Sequence, residues 1–297
     1  MLLTLAAVLT LATAQQIDTT VTAERGQRLQ VNAYGGDVTI RSWNRNAVRV
    51  ESATSARSRV EVISSATAVS VRTQGRHGPP TEIDLRISVP VWMALSMSGV
   101  HTNATITGIR APISVETVEG EVKVTGGDGL ISLRSVQGSV SLQGARGRIS
   151  VNSVNEDVRV ANSSGEIKAE TVNGEIALEG VDAATVDAST VNGDIWYAGP
   201  IRSGGRYSLS THNGDITLTV AEGTSANVAV STFNGEFESE FPVPLSGTRK
   251  GKGFNFTLGS GSAQVTLESF QGTIQLVRPG SAKDKERRER HDSDDDH

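Results

Sequence analysis

Six carboxylates, Glu121, Asp157, Glu175, Asp194, Asp215 and Glu236, follow directly on a recurring Ser/Thr–apolar–Asn–Gly unit. If the units stack, like charges about 5 Å apart repel one another. A hard cation such as Ca²⁺, which gathers several carboxylate and carbonyl oxygens, would relieve that repulsion. Gly126-Gly127-Asp128-Gly129-Leu130 resembles half of a calcium-binding nonapeptide, but the other turns lack the repeated Gly-Gly-x-Gly-x-Asp. Carboxylates that fan into water account for the column without a metal. No metal or cofactor is therefore expected, and these six are where one would sit if it bound.

The amides form a second column: Asn155, Asn173, Asn192, Asn213 and Asn234. A sugar- or ice-binding face is one reading. The other is structural, with stacked Asn side chains bonding from coil to coil as an amide ladder, and with Asn and Gly supplying the conformations of a tight turn. The structural reading is preferred, so Asn173, Gly174, Asn192, Gly193, Asn213, Gly214, Asn234 and Gly235 are read as turn residues. Glu156 occupies a Gly position. Either Asn155 takes up the strain in that coil, or Gly is favoured because something approaches closely. No catalytic residue is assigned. His77, His101, His212, His291 and His297 are scattered, and no Ser-His-Asp spacing, His-Glu-x-x-His motif or phosphate loop occurs.

The elements that position these columns show in the periodicity. The units centre on Val118, Val136, Val154, Val172, Val191, His212, Phe233 and Phe270, at first eighteen residues apart and then 19, 21, 21 and 37. The apolar pairs Ile113/Val115, Val122/Val124, Ile131/Leu133, Val140/Leu142, Ile149/Val151, Val158/Val160, Ile167/Ala169 and Ile176/Leu178 step by nine residues. A six-residue period, which would mean a three-sided left-handed helix, fits less well, failing at Arg148 and Glu166, and leaves a three-faced cross-section as the alternative. The spacing predicts an all-β β-solenoid, parallel β-helix or β-roll in style, with 18-residue coils of two short strands. In this reading the apolar residue of each unit, such as Val191, fills the core, and the preceding hydroxyl, such as Thr190, ties down the turn. Coils about 4.8 Å apart would build a rod of roughly 40 Å.

The remaining stretches divide the chain. Met1–Ala14 is an apolar run ending in Ala12-Thr13-Ala14, read as a cleaved export signal although no Lys or Arg precedes it. Residues 17–112 alternate with period two and break at the Gln74–Pro80 loop, giving an N-terminal β region that leads into the solenoid at 113–278. All six Phe fall between Phe233 and Phe270, where a wider cross-section and a cap on the rod are expected. Pro242 and Pro244 mark Phe241–Gly253 as an excursion whose Arg249, Lys250 and Lys252 could meet an anionic glycan or lipid headgroup, though a solvated loop is the plainer reading. Residues 279–297 read as a disordered mixed-charge tail. The absence of Cys argues against disulfides and a lipobox anchor, and the net charge of −5 argues against nucleic acid. No segment of the mature chain reads as transmembrane.

The strand start Gly36-Asp37-Val38-Thr39-Ile40, the lead-in Ile87-Ser88-Val89-Pro90 and the repeats at Val172, Val191, Asn213 and Asn234 resemble the bacterial DUF4097 family. Its repeat domain is named a candidate adhesin. The resemblance covers about Gln30 to Leu276. It implies a β-solenoid, often exported or membrane-tethered, with no assigned catalytic residues, and some relatives belong to envelope stress systems. The expected function is an exported, non-enzymatic, adhesin-like scaffold in the periplasm or at the cell surface, with an envelope protein or glycan as partner. The alternative is a glycan-active parallel β-helix enzyme with its site on the C-terminal coils.

Overall fold

The computed structural model describes residues 15–54, 58–75, 78, 80–243 and 253–282. The expected export signal, His77, Pro244, the basic loop residues Arg249, Lys250 and Lys252, and the tail histidines His291 and His297 lie outside the described residues.

The first seven strands are β1 (Gln15–Thr22), β2 (Arg28–Trp43), β3 (Ala47–Thr54), β4 (Ser58–Ser64), β5 (Ala68–Gly75), β6 (Leu85–Pro90) and β7 (Ala94–Thr107). Longer and shorter strands then alternate: β8 (Ile113–Glu119), β9 (Val122–Thr125), β10 (Asp128–Gln137), β11 (Val140–Gln143), β12 (Arg146–Asn152), β13 (Val158–Ala161), β14 (Ser164–Glu170) and β15 (Ile176–Glu179). The sequence continues with β16 (Asp182–Asn192), β17 (Ile195–Ala198), β18 (Arg206–Asn213), β19 (Ile216–Thr219), β20 (Ala226–Thr232), β21 (Phe237–Ser239), β22 (Phe254–Leu258), β23 (Ala263–Gln271) and β24 (Ile274–Val277).

The pairings lay these strands out on two faces of one winding. The first face runs β4, β5, the start of β2, the start of β7, then β8, β10, β12, β14, β16, β18, β23, β20 and β22. The second runs β1, β3, β6, the end of β2, the end of β7, then β9, β11, β13, β15, β17, β19, β24 and β21. All pairings between successive coils are parallel, because a chain that winds in one sense brings each strand back beside its predecessor without a helical crossover. Among the described residues antiparallel strands appear only at the ends, where β4, β1 and β3 flank one end and β22 flanks the other, covering edges that would otherwise be open to pairing.

Between the faces lies one continuous core. The nine-residue step holds: Ile131 sits on Ile113 and Leu133 on Val115, Val140 on Val122 and Leu142 on Val124. All eight of these residues are buried. A coil alone could not shield this thin aliphatic file from water, so stacking neighbours supplies the stability.

Four features depart from a uniform repeat. The parallel ladder reaches back beyond Ile113, since β2 and β7 each bend across both faces and pair along most of their length. The extra residue of the 19-residue coil is taken up at Ala184, skipped between Gly165↔Ala183 and Glu166↔Thr185. The 21-residue coil is widened by Tyr197 and Tyr207, both buried and packed edge to face at 5.6 Å, so broadening starts with tyrosines ahead of the first Phe. Finally, β23 and β24 slot between the β18/β19 coil and the β20/β21 coil. The last coil in sequence is thus not the last in space. Of the Phe residues, Phe237, Phe254 and Phe256 cluster at the end of the rod, with Phe256 buried. Phe233 and Phe270 lie outside the core.

Candidate functional site

Along each longer strand the side chains alternate, so the residue two beyond the inward apolar pair also points inward. That residue is the Ser or Thr of the unit. Thr117, Ser135, Ser153, Thr171, Thr190, Thr211 and Ser269 are all buried. A hydroxyl among aliphatic neighbours must find an acceptor, and each finds the turn carbonyl of the coil beneath it. Ser135 donates to Gly120 at 3.1 Å, Ser153 to Gly138 at 3.1 Å, Thr171 to Glu156 at 2.9 Å and Thr190 to Gly174 at 3.1 Å. Thr211 donates to Gly193 at 2.9 Å and Ser269 to Gly214 at 3.0 Å.

The apolar residue that follows must then face outward, which corrects the expectation that Val191 and its equivalents fill the core. Val118 is 47% exposed, Val172 40%, Val191 43%, Phe270 39% and Phe233 60%. Strand register places Val100 opposite Val118, Val172 opposite Val191, Val191 opposite His212, His212 opposite Phe270, and Phe270 opposite Phe233. Val136 and Val154, half-buried, fill the places between Val118 and Val172. Among the described residues, six of the eight exposed large hydrophobics, Val100, Val118, Val172, Val191, Phe270 and Phe233, lie on this one file. Scattered exposed apolar residues are ordinary, but a contiguous row of them marks an interaction surface. At its C-terminal end the file turns aromatic. His212 and Phe270 stack at 4.6 Å and 8°, and Phe270 and Phe233 at 4.9 Å and 6°. A shallow depression of about 310 Å³ beside the stack is lined by Thr190, Ser210, His212, Phe233, Glu268 and Phe270 among others.

The amide column forms the ladder its spacing predicts. Asn173 Nδ2 donates to Asn155 Oδ1 at 3.1 Å, Asn192 to Asn173 at 2.8 Å and Asn213 to Asn192 at 2.8 Å. Asn234 does not follow Asn213 in space, because the inserted last coil places Gln271 beside Asn213. Proximity constrains the whole glycine column, and Gly120, Gly138 and Gly272 also hold positive φ values of 121°, 152° and 143°. A Cβ on Gly193 would stand 1.9 Å from the Gly174 carbonyl oxygen, and one on Gly214 2.0 Å from that of Gly193. Asn155 keeps an ordinary negative φ. Where Glu156 replaces Gly, β12 stops at Asn152 and the chain bends over 154–156.

The acidic column has a structural duty that its spacing did not reveal. Asp157 Oδ1 accepts the backbone N–H of Glu175 at 2.6 Å, Asp194 that of Asp215 at 2.8 Å, and Asp215 that of Thr273 at 2.7 Å. Glu121 is held by its own N–H, which donates to Asn103 Oδ1 at 3.0 Å. Glu236 accepts the Ile274 N–H through its backbone carbonyl. Among the described residues no three His, Cys, Asp or Glu side chains group as metal ligands. His101 pairs with Glu119 at 2.7 Å, one coil on. Two carboxylates are held below their usual range, Asp18 by the Arg49 guanidinium and Asp182 by that of Arg202. Both are fully engaged in those ion pairs and lie away from the apolar file.

Strand parity is the signal that could have found the outward file. Counting by two from Ile113 through Val115 lands on Thr117, so Thr117 faces in and Val118 faces out. The apolar character of Val118 hides that parity.

The family profile described as Toastrack DUF4097 matches residues 27–277. No curated protein matches the chain in sequence. Among solved structures, a candidate adhesin of Bacteroides fragilis aligns over 89% of this chain and 98% of its own, at 13% identity and a TM-score of 0.45. A candidate adhesin of Parabacteroides merdae aligns over 89% and 97%, at 10% identity and 0.45. A candidate lipid-binding protein of Parabacteroides distasonis aligns over 89% and 98%, at 9% identity and 0.43.

Proposed function

This chain belongs to the Toastrack DUF4097 family, and on that premise we propose that it is an exported, non-enzymatic β-solenoid whose apolar file is an interaction surface in the cell envelope, serving adhesion or envelope sensing. The observation that carries this reading is the continuous outward row from Val100 to Phe233. A protein that needed only to fold would not concentrate its exposed apolar side chains on one line of its surface. Export is supported by the Ala12-Thr13-Ala14 signal, and no helix among the described residues is long and apolar enough to cross a membrane.

The competing enzyme reading requires two or more carboxylates grouped beside a cleft. The acidic side chains of the solenoid stand in evenly stepped columns instead, and Asp157, Asp194 and Asp215 are tied to backbone N–H groups. The C-terminal depression has Glu268 as its one carboxylate among the lining residues.

The test is a pull-down from envelope fractions with the wild-type chain and a Val191→Ser/Phe270→Ser variant, together with incubation on a panel of polysaccharides. The reading expects a specific captured component that the variant loses. Equal capture by both chains, or new reducing ends from any polysaccharide, would overturn it.

A further inference from the structure

Resting on that reading, we propose that the C-terminal half of the file, from Val172 to Phe233, docks a cationic amphipathic helix.

The first argument is dimensional. Val172, Val191, His212, Phe270 and Phe233 occupy five successive coils. At the strand spacing of about 4.8 Å this row is about 19 Å long. A helix of about 13 residues has the same length, and its apolar stripe advances about 5.4 Å per turn. Each helical turn thus meets roughly one coil, with a slip of about 0.6 Å per step that flexible side chains absorb. Stacking occupies both ring faces of Phe270 and one face each of His212 and Phe233. The result is a long, narrow apolar ridge, suited to a rod-shaped apolar stripe more than to a flat sugar ring seated on an exposed aromatic face.

The second argument is charge. Besides the exposed, neutral Asn or Gln that directly follows the apolar residue, the flanking outward positions in each of these five coils are those two and four residues before it and three after it. They carry Glu170, Asp187, Glu268, Glu175, Asp194, Asp215 and Glu236, against the single cation Lys168. Lys168 is already paired with Glu170 at 2.8 Å. The corresponding positions around Val118, Val136 and Val154 hold Glu116, Glu121 and Asp157 against Arg134. The acidic margin is therefore concentrated where the file is aromatic. An apolar ridge with acidic margins complements a helix with an apolar stripe and Lys or Arg on both sides of it. The same margins repel an anionic bilayer, and they repel a second copy of this ridge laid face to face.

The test uses the full chain and a fluorescent peptide of about 14 residues built from Leu and Lys, with Leu at helical spacing. Controls are the same peptide with Glu for Lys, a scrambled Leu–Lys peptide, and vesicles of anionic phospholipid. The patterned Leu–Lys peptide is expected to bind roughly tenfold more tightly than the scrambled one, and Val191→Ser/Phe270→Ser to remove that advantage. Asp194→Asn/Asp215→Asn keeps a side-chain oxygen to accept each backbone N–H and is expected to weaken binding roughly threefold, with the difference vanishing in high salt. Equal binding of the Leu–Glu peptide, or unchanged binding by the Val191→Ser/Phe270→Ser chain, would overturn the proposal. So would a wild-type dimer that this variant dissociates, or vesicle binding that depends on the file. If envelope capture is lost in the variant while the Leu–Lys peptide fails to bind, the interaction surface stands and the cationic helix is wrong.

Discussion

Asp194 Oδ1 accepts the backbone N–H of Asp215, one coil along, at 2.8 Å. Asp194→Ala leaves that N–H without its carboxylate, and the unfolding free energy should fall by about 1 kcal/mol, less than a buried hydrogen bond to a charged group is worth because the site is half-exposed. Asp194→Asn keeps an oxygen acceptor and should cost less than half as much. Urea titration of the three chains checks this. Equal losses for Ala and Asn would show that the acceptor is not what matters.

The inversion of Thr190 and Val191 makes a sharper test. Thr190→Val removes the donor to the Gly174 carbonyl inside the rod and should cost about 1–2 kcal/mol, whereas Thr190→Ser should recover most of it. Val191→Thr alters an outward side chain and should stay within about 0.5 kcal/mol of wild type. The opposite ranking would return Val191 to the core.

That pair also shows how far the sequence could be read. The nine-residue step of pairs such as Ile113/Val115 and Val122/Val124 points to stacked coils of two short strands, because a winding chain aligns them, while the strand pairings settle that there are two faces. The Asn173–Asn192–Asn213 ladder was legible for the same reason. Three things were not. The destination of Val191 was masked by its hydrophobicity, although strand parity points it outward. The carboxylate clip of Asp194 needs the distance to Asp215, which repeat spacing does not give. The position of Phe270 between His212 and Phe233 depends on which neighbour the final coil pairs with, and a near-identical repeat unit is compatible with several.

Gly193 tests closeness, its φ of +159° lying at the edge of the extended region. Its substitution by Ala drives a Cβ to within 1.9 Å of the Gly174 oxygen, so neighbouring coils must part and about 3–5 kcal/mol should be lost. Gly144 has φ +70° but open space around its Cβ position, and Gly144→Ala should cost only about 1 kcal/mol. Thermal unfolding of both variants checks the order. Comparable losses would mean that contact with the lower coil is not the constraint.

Removing the final coil tests the order of the stack. In the structure β20 pairs with β23 and β22, while β18 pairs with β23. A chain ending after Leu258 loses the coil that joins β20 and β21 to the rest. Strands β20 and β21 should then become open to proteolysis while the strands from β7 to β17 stay protected. Continued protection of β20 in the shortened chain would show that it can pair directly with β18.

Alkaline pH probes the widened coils. Tyr197 and Tyr207 are buried, and burial is the first cause that raises both phenols above their ordinary value, with the neighbouring Tyr207 adding to the shift in Tyr197. Tyr207 also donates to the Ala183 carbonyl at 2.8 Å, and Tyr197 donates to that of Pro200 at 3.1 Å, bonds that need the proton. The sign follows from linkage. A group whose folded pKa is raised stabilises the fold fully below its unfolded pKa, about 10 for tyrosine, and that contribution is lost as pH climbs from there toward the folded value. Stability should thus decline above about pH 10. The tyrosinate absorbance of these two residues should appear together with loss of the β-sheet circular dichroism signal. Tyr197→Phe/Tyr207→Phe should flatten that decline, at the cost of a lower stability at neutral pH from the unpaired Ala183 and Pro200 carbonyls. Full ionisation of all three tyrosines in a chain that keeps its native dichroism would contradict the buried, proton-dependent packing of Tyr197 against Tyr207.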